Sequence, residues 1–420
     1  MSKKLVEILR FYNPLIGISQ ICLMIAELPL LASFISKYVQ KQHYSNLNAT
    51  VEYREYQLNQ ADIENIRTTK DDLRKSFSRY YVKPKFSWNP LRHISLKAAT
   101  SGTSGMPLQF RRNLHDIFLE EAFQRNWRRK IGWKTRDKVA VLRGDLLSEF
   151  SDNNVSYKTP MVPRLYLNTY SLTTATLVAY HKALLKFQPK VLYCYPTIAV
   201  SLAKMIKASS LEKISIPIVV FSSERLNSVD RLMIKEVFSA NIYGWYGNGE
   251  RTVAAAQCEF GTYHFVHNYA TVVIASSGLI LSTPLLFNTY KILNHVTDDY
   301  SDGTPFINCE CQSKSIGVRD IIGRDDEYLY HLDGTRFTFL NTQLTRDEPT
   351  VIESQIYQFK NGDVEIRITP ANQSRDTLER ILNKSMERLP HLKISIVARE
   401  SLERTDAGKL RPVISDFFTM

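Results

Sequence analysis

Cysteine is scarce in this chain of 420 residues: there are five, and an odd number excludes a framework built wholly of paired disulfides. With no cleavable leader discernible, the expectation is a reducing, cytoplasmic location. Glycine and proline are also sparse, at sixteen each, which excludes collagen-like and linker-dominated architectures. Long apolar runs are missing too. Phe11 to Ala26 carries no charge, but Pro14 and Gln20 interrupt it and Glu27 and Pro29 follow. A spanning helix wants ~20 apolar residues, so this segment is expected to form buried or partner-facing helices, with a membrane surface as one contact it would suit. Charge of one sign is not lacking, since the net charge is +12. The basic residues are nonetheless scattered, with Arg111-Arg112, Arg128-Arg129-Lys130 and Lys134 the densest group. That spacing suits the solvated face of a helix as well as a phosphate track, and no nucleic-acid motif accompanies it. Nucleic acid is therefore not an expected partner, while anionic nucleotides and cofactors are.

What is present is a globular composition, 44% hydrophobic and 23% charged, in a chain too long for one ordinary core. Residues 1 to about 85 read mainly as helix, including a capped, charged helix over "IRTTKDDLRKSFSRYY". From Lys138 short β-type runs alternate with helical ones: "KVAVLRG", "KVLYCYP" and "IPIVVFSSE" as strands, "SLTTATLVAYHKALLKF" and "TIAVSLAKMIKAS" as helices. That alternation implies a mostly parallel sheet with helices on its faces. Between Asn241 and Asp299 the strands crowd together, in "HFVHNYATVVIA", "GLILSTPLL" and "YKILNHVT", as a β-rich subdomain would. After "GRDDE" comes a compact α+β tail. "TVIESQIYQF" and "DVEIRITPA" flank the turn "KNGD". A helix follows from Ser374, its N-cap, to Leu389, with Leu378, Ile381, Leu382, Met386 and Leu389 at helical spacing, and "LKISIVARE" is the last strand. The expected organisation is an N-terminal helical region at 1–85 belonging to a large domain, an α/β core with its β-rich subdomain at 86–322, a hinge at 323–327 and a small mobile domain at 328–420.

The most informative stretch is "TSGTSGMPL", Thr100 to Leu108, whose first six residues are all Gly, Ser or Thr. Gly102 and Gly105 allow backbone amides to approach a ligand, and Ser101, Thr103 and Ser104 add hydroxyls, so the loop can wrap phosphate oxygens. No Gly-Lys-Ser/Thr closes it, which excludes a Walker loop. Four stretches follow in order: "WYGNGE" (Trp245 to Glu250), "VTDD" (Val296 to Asp299), "GRDDEYLYHLDGTRF" (Gly323 to Phe337) and "RTDAGKLR" (Arg404 to Arg411). Each alone is a turn, a strand end, a linker or a loop. Their order and spacing carry the signal.

From about Leu73 to Val413 the chain resembles the adenylate-forming superfamily, and within it the phenylacetate–CoA ligase family with its CapK-like polysaccharide-cluster members. The resemblance implies activation of a small carboxylic acid by Mg-ATP to an acyl-adenylate and pyrophosphate. Acyl transfer to coenzyme A or to a carrier-protein thiol would follow. It also implies the roles. Ser101, Gly102, Thr103, Ser104 and Gly105 would hold the pyrophosphate leaving group. Tyr246, with Gly247 beside it, would stack on adenine, and Glu250 would ligate Mg²⁺. The backbone around Ser222, Ser223 and Glu224 would line the adenine and acyl pocket. Asp299 would accept both ribose hydroxyls, Arg324 would sit near ribose and phosphate, Asp326 would be the hinge, and Lys409 would bridge the acid and the α-phosphate. Tyr195, Pro196, Phe221 and Trp245 are candidates for an apolar or aromatic acid pocket.

The chemistry agrees with these roles. A carboxylate attacking a phosphate brings two anions together, so catalysis is positioning and charge neutralisation. No general base is needed, because a carboxylate is ionised at neutral pH, and the lack of a Ser/His/Asp constellation fits. The sequence departs from its relatives in three places. Gly249 stands where they commonly have Thr, Asp298 puts an extra charge beside the ribose-binding Asp299, and Leu108 ends the loop, as in CapK-like members, where other branches have Lys. Two rivals stay open: adenylyl or acyl transfer to a sugar or amine, and a degenerate relative that only binds.

Cys258, His264, Cys309 and Cys311 form the last constellation. They are soft ligands in two close pairs, the complement a tetrahedral structural Zn²⁺ wants. His267, in the same β-type run, is the alternative to His264.

Overall fold

The computed structural model describes residues 67–80, 92–99, 108–143, 154–285 without 161 and 170, and 290–322 without 291. It further describes 328–330, 336–338, 345, 348, 350–370, 375–388, 392–404 and 410–417. The expected helices before residue 67 lie outside these, as does Ser374, and among the described residues no helix is long and apolar enough to cross a membrane.

Helix α1 (Lys70–Tyr80) begins with the cap its sequence announces. Thr69 N–H donates to Asp72 Oδ2 at 2.9 Å, and Asp72 N–H returns a bond to Thr69 Oγ1 at 3.2 Å. Two otherwise orphaned amides are thereby satisfied. Leu73 turns inward against Leu108, Phe110 and Ile292. Strands β1 (Ser95–Ala99) and β2 (Gln109–Asn113) pair antiparallel, with Ala99 opposite Gln109. Helix α2 (Leu114–Lys130) follows directly, and its N-cap Asn113 accepts a bond from Asp116 N–H at 2.7 Å.

The main sheet takes β3 (Val139–Leu142), β4 (Ser156–Lys158) and β5 (Arg164–Leu167), then α3 (Leu177–Phe187), β6 (Val191–Cys194), α4 (Pro196–Ala208) and β7 (Ile218–Ser222). It continues through α5 (Ser228–Phe238), β8 (Asn241–Gly247), β9 (Ala254–Gln257) and β10 (Tyr263–Phe265), and ends with β14 (Gly317–Val318). These strands run in the order β14-β10-β9-β8-β7-β6-β3-β5-β4. The five from β8 to β5 are mutually parallel, and the flanking ones are antiparallel. Residue parity along the strands decides which layer each side chain enters. Ala140, Leu142, Val219 and Phe221 pack with Ile198, Leu202, Ile234 and Phe238 of the helices α4 and α5. Val139, Val141, Val220 and Trp245 face Leu119 and Trp127 of α2. The parallel α/β reading holds, with α3 starting at Leu177, later than its sequence suggested.

The β-rich region is a second, antiparallel sheet of β11 (Ala270–Ile274), β12 (Leu279–Pro284), β13 (His295–Ser301) and β15 (Ile321–Ile322). The run "HFVHNYATVVIA", expected as one strand, divides between β10 and β11, because Asn268 adopts a left-handed φ of 62° and turns the chain. A hairpin of β16 (Tyr328–Tyr330) and β17 (Arg336–Thr338) comes next.

The last sheet contains β18 (Val351–Gln358), β19 (Val364–Pro370), β20 (Ile394–Ala398) and β21 (Val413–Ser415), in the order β20-β19-β18-β21, covered by α6 (Arg375–Arg388). Gly362, at φ 89°, makes the β18–β19 turn. Two expectations are corrected here. The final strand is β21, parallel to β18, and not β20. The buried stripe of α6 runs through Thr377, Ile381 and Ser385, while Met386 is 55% exposed. This sheet docks on the main body: Ser201 Oγ donates to Glu353 Oε1 at 2.6 Å, Lys204 Nζ to Val351 O at 2.8 Å, and Ile352 enters the core beside α4.

Candidate active site

The strand β8 carries Tyr246 to the seam between the two larger sheets. Its hydroxyl donates to Asp299 Oδ2 at 2.8 Å. The acids of "VTDD" do not end a strand, as their sequence suggested; they lie inside β13. Between Leu279 and Leu281 the pairing of β12 jumps from Tyr300 to Val296, and Asp298 takes a φ of 62°. Such an irregularity re-aims side chains. Thr297 Oγ1 stabilises it by donating to Ile280 O at 2.8 Å and accepting from Asp299 N–H at 3.1 Å. The extra charge of Asp298 is turned aside, 48% exposed and 3.9 Å from Lys70 Nζ.

Glu250 sits in the turn after β8. It is buried, and among the described residues neither carboxylate oxygen has a hydrogen-bond partner. A buried, unpaired carboxylate is costly unless something else neutralises it. The turn itself is well tied: Asn248 Oδ1 accepts from Thr252 N–H at 2.9 Å, and Asn248 Nδ2 donates to Thr252 Oγ1 at 2.7 Å. Arg112, on β2, donates to Gly249 O at 2.6 Å, and Arg251 donates to Asp116 O at 2.5 Å. Glu250 lines a cleft with Phe110, Arg111, Arg112, Asp116, Arg251 and Tyr290. Burial first, and Arg251 second, bring the Arg112 guanidinium down to about 9, with Glu120 and Glu250 opposing, so it stays charged at neutral pH.

Arg112 and Arg251 were not singled out from the sequence as site residues, and the pair Arg111-Arg112 does not lie on a helix. It lies on β2, where Arg111 is exposed and Arg112 half-buried, and both line the cleft. His295 was missed as well. Fully buried at the start of β13, it is bonded through Nδ1 to Thr68 O at 3.0 Å, and Nε2 has no partner among the described residues. Burial lowers its pKa, with Glu250 pulling the other way. Adjacency to the motif acid could have flagged Arg251; no local signal marks Arg112 or His295.

Other expected residues divide. Ser101 to Gly105, Arg324, Asp326 and Lys409 lie outside the described residues, although β2, which follows the first of these stretches, lines the cleft. Glu224 Oε2 accepts from Thr197 N–H at 3.1 Å and from its hydroxyl at 2.9 Å, so this carboxylate secures the N-terminus of α4. Ser223 has a left-handed φ of 71°, and Gly247 ends β8. The aromatic pocket candidates are core residues: Phe221 and Tyr195 pack with α4, and Trp245 lies 5.4 Å from Trp127.

The sulfur cluster does assemble. The ligand atoms of Cys258, His264, Cys309 and Cys311 all lie within 4.8 Å of one another, while His267 is exposed and outside the group. Cys311 Sγ is 3.1 Å from His264 Nε2, and Cys258 Sγ is 3.9 Å from Cys309 Sγ. His264 Nδ1 lies 3.1 Å from Ser315 O, which leaves Nε2 as the ligating nitrogen. Burial alone would raise the Cys309 thiol, but hydrogen bonds from the N–H of Cys311 and the side chains around it lower it. Burial raises those of Cys258 and Cys311, so without an ion the three thiols share their charge unequally.

No family model matches the chain. The Staphylococcus aureus protein CapK is 26% identical over 348 residues, covering 78% of this chain and 72% of CapK. A solved structure of 2-hydroxyisobutyryl-CoA ligase in the postadenylation state, in complex with R3-HIB-AMP, is similar at a TM-score of 0.59 and 17% identity, over 95% of this chain and 88% of that one. Anthranilate CoA ligase AuaEII in complex with anthranoyl-AMP is similar at a TM-score of 0.50 and 14% identity, over 76% of this chain and 66% of that one. The chain therefore shares the fold of these acyl-CoA ligases and is similar in sequence to CapK.

Proposed function

We propose that this protein activates a carboxylic acid with Mg-ATP and passes the acyl group to a thiol, that of coenzyme A or of a carrier protein. An oxygen of the substrate carboxylate attacks the α-phosphorus, the bond from that phosphorus to the bridging oxygen breaks, and pyrophosphate leaves. A thiolate then attacks the acyl carbon, and AMP departs with the oxygen that joined them. The observation that carries this reading is the Tyr246–Asp299 bond of 2.8 Å, with the carboxylate of Glu250, four residues farther along, lacking a hydrogen-bond partner among the described residues. Tyr246 presents a ring for adenine and, through its hydroxyl, orients Asp299 to receive the ribose hydroxyls. Glu250 would hold Mg²⁺, which when bound neutralises phosphate charge; its buried oxygens, with no hydrogen-bond partner among the described residues, fit that task. Residues 101–105 would bind the departing pyrophosphate, Arg324 the ribose and phosphate, and Lys409 the acid and α-phosphate together. Asp326, in the hinge at 323–327, would let the small domain turn between the two half-reactions.

A panel of acids screened for pyrophosphate release tests this. The expected result is AMP and pyrophosphate in equal amounts, dependent on one class of acid. Production of ADP, or nucleotide turnover indifferent to every acid, would overturn it. Similarity to CapK keeps a sugar or amine acceptor as the alternative; trapping the product on such an acceptor, and not on a thiol, would establish it.

Cys258, His264, Cys309 and Cys311 would hold a structural Zn²⁺. Four protein ligands leave no position for a reactive water, and acid activation needs none. Cytoplasmic residence and contact of the apolar N-terminal segment with a membrane surface complete the reading, and fractionation of the full chain tests both.

A further inference from the structure

The last sheet meets the main body along β18, and that meeting is centred on one carboxylate. Glu353 Oε1 accepts from Ser201 Oγ of α4 at 2.6 Å and from Arg404 Nη2 at 2.6 Å. Ser201 is buried, and the side chains of Glu353 and Arg404 are only 8% and 11% exposed. A pair so enclosed is not weakened by solvent as a surface pair is. Gln355 lies two residues farther along the same side of the strand. Its Nε2 donates to Glu403 O at 3.0 Å and to Arg411 O at 2.9 Å. Arg404 and Leu410 face each other in an antiparallel bridge. Glu353 and Gln355 thus fix both ends of the stretch that contains Lys409.

From Ser201 the contacts continue into the main body. Its hydroxyl is also 2.9 Å from Thr197 O, one turn back along α4. Thr197, through its N–H and its hydroxyl, bonds Glu224 in the loop after β7. Hydrogen bonds therefore run from the carboxyl end of the parallel sheet to the base of the Lys409 segment.

The same joint is incompletely satisfied. Ser201 has one proton for two acceptors, and Arg404 Nη1 and Gln355 Oε1 are buried with no hydrogen-bond partner among the described residues. A permanent joint would pair such groups, because leaving them bare is costly. A joint that forms and parts need not.

We propose that Glu353 is a positioning residue for adenylation, clamping the base of the Lys409 segment against α4 and releasing it when the small domain turns. It touches no reacting atom. The proposal rests on the function given above, in which Lys409 meets the acid and the α-phosphate and the small domain turns between half-reactions.

The half-reactions, measured apart, test it, with the acid that releases most pyrophosphate in the panel above. Acid-dependent exchange of labelled pyrophosphate into ATP reports adenylation. Acylation of pantetheine, the arm common to coenzyme A and carrier proteins, from supplied acyl-adenylate reports transfer. Glu353→Gln keeps the size of the side chain and should lower exchange ~10-fold, the scale of one charge-assisted hydrogen bond, mainly in kcat. Transfer should hold or rise. Ser201→Ala removes only the bond between sheet and helix and should split the half-reactions in the same way. Arg404→Lys, which keeps the charge, should be milder than Arg404→Gln. Thermal melting reports folding, and should Glu353→Gln melt far below the original protein, Ser201→Ala decides. Equal losses in both half-reactions mark a merely structural contact and overturn the proposal. Unchanged exchange in folded Glu353→Gln overturns it, as does a loss confined to transfer. In all three cases normal exchange by the unaltered protein leaves the proposed function standing. An unaltered protein that exchanges pyrophosphate with no acid defeats the function itself.

Discussion

Two polar constellations follow one another closely along the chain after β8 and are built on opposite plans. Around Cys258, His264, Cys309 and Cys311 the ligand atoms converge on one another, and His264 is braced from behind by Ser315. Around Glu250 the carboxylate oxygens have no hydrogen-bond partner among the described residues, and the residue lines a cleft. A converging set satisfies a resident ion and ties distant parts of the chain together. A divergent set is left in debt by the fold and is satisfied only when a ligand arrives. The contrast teaches where to look for turnover and where for stability, and each half can be broken separately.

The largest effect is expected from Glu250→Gln, which should lower acid-dependent pyrophosphate release ~10²-fold or more, the scale of losing one preorganised electrostatic contact. The same change removes a buried charge that has no partner among the described residues, so the melting temperature should hold or rise. A steady-state assay and a melting curve on one preparation suffice, and a fall in stability would erase the contrast. Cys309→Ser/Cys311→Ser should do the reverse. Elemental analysis should find about one zinc per chain in the unaltered protein and none in the variant, which should melt several degrees lower while still binding AMP. Absence of metal from active, freshly purified protein would remove the cluster from the comparison.

Smaller effects sharpen the nucleotide side. Tyr246→Phe keeps the ring and deletes the bond to Asp299 Oδ2. A hydrogen bond to a charged group is worth ~1.5–3 kcal/mol, so KM for ATP should rise ~10-fold or more with kcat little changed. A fall in kcat with KM unchanged would place Tyr246 elsewhere. The smallest effect concerns pH. Burial holds His295 below its ordinary 6.5, so just under that pH the unfolded chain takes up a proton that the folded chain refuses. Stability should therefore drop on acidification through that window and be fully present above it. Urea midpoints at pH 7 and pH 5.5 should differ more in the original protein than in His295→Asn; equal differences would refute the assignment.

Much of this could be read from the residues. Alternation of β-branched runs with helical ones located β3, β6 and β7 with the helices between them, because parity and period are local properties. Tyr246, Glu250 and Asp299, and the four sulfur and imidazole candidates, were legible as motifs, and the structure brings Tyr246 to Asp299 and the four candidates together. What was not legible depended on partners distant in sequence. The jump in β12–β13 pairing comes from register, which a single strand does not encode. Arg112 is an ordinary half of a basic pair until β2 is seen to flank the turn at Gly249, 137 residues away. Phe221 and Trp245 have the composition of a ligand pocket and the address of a core.

The most direct measurement follows oxygen. An acid labelled with ¹⁸O in its carboxylate, incubated with ATP, magnesium and the thiol acceptor, must lose one labelled oxygen to the α-phosphate if an acyl-adenylate forms. Mass spectrometry should find AMP carrying one ¹⁸O and pyrophosphate carrying none. Unlabelled AMP, or label in inorganic phosphate alongside ADP, would contradict the account.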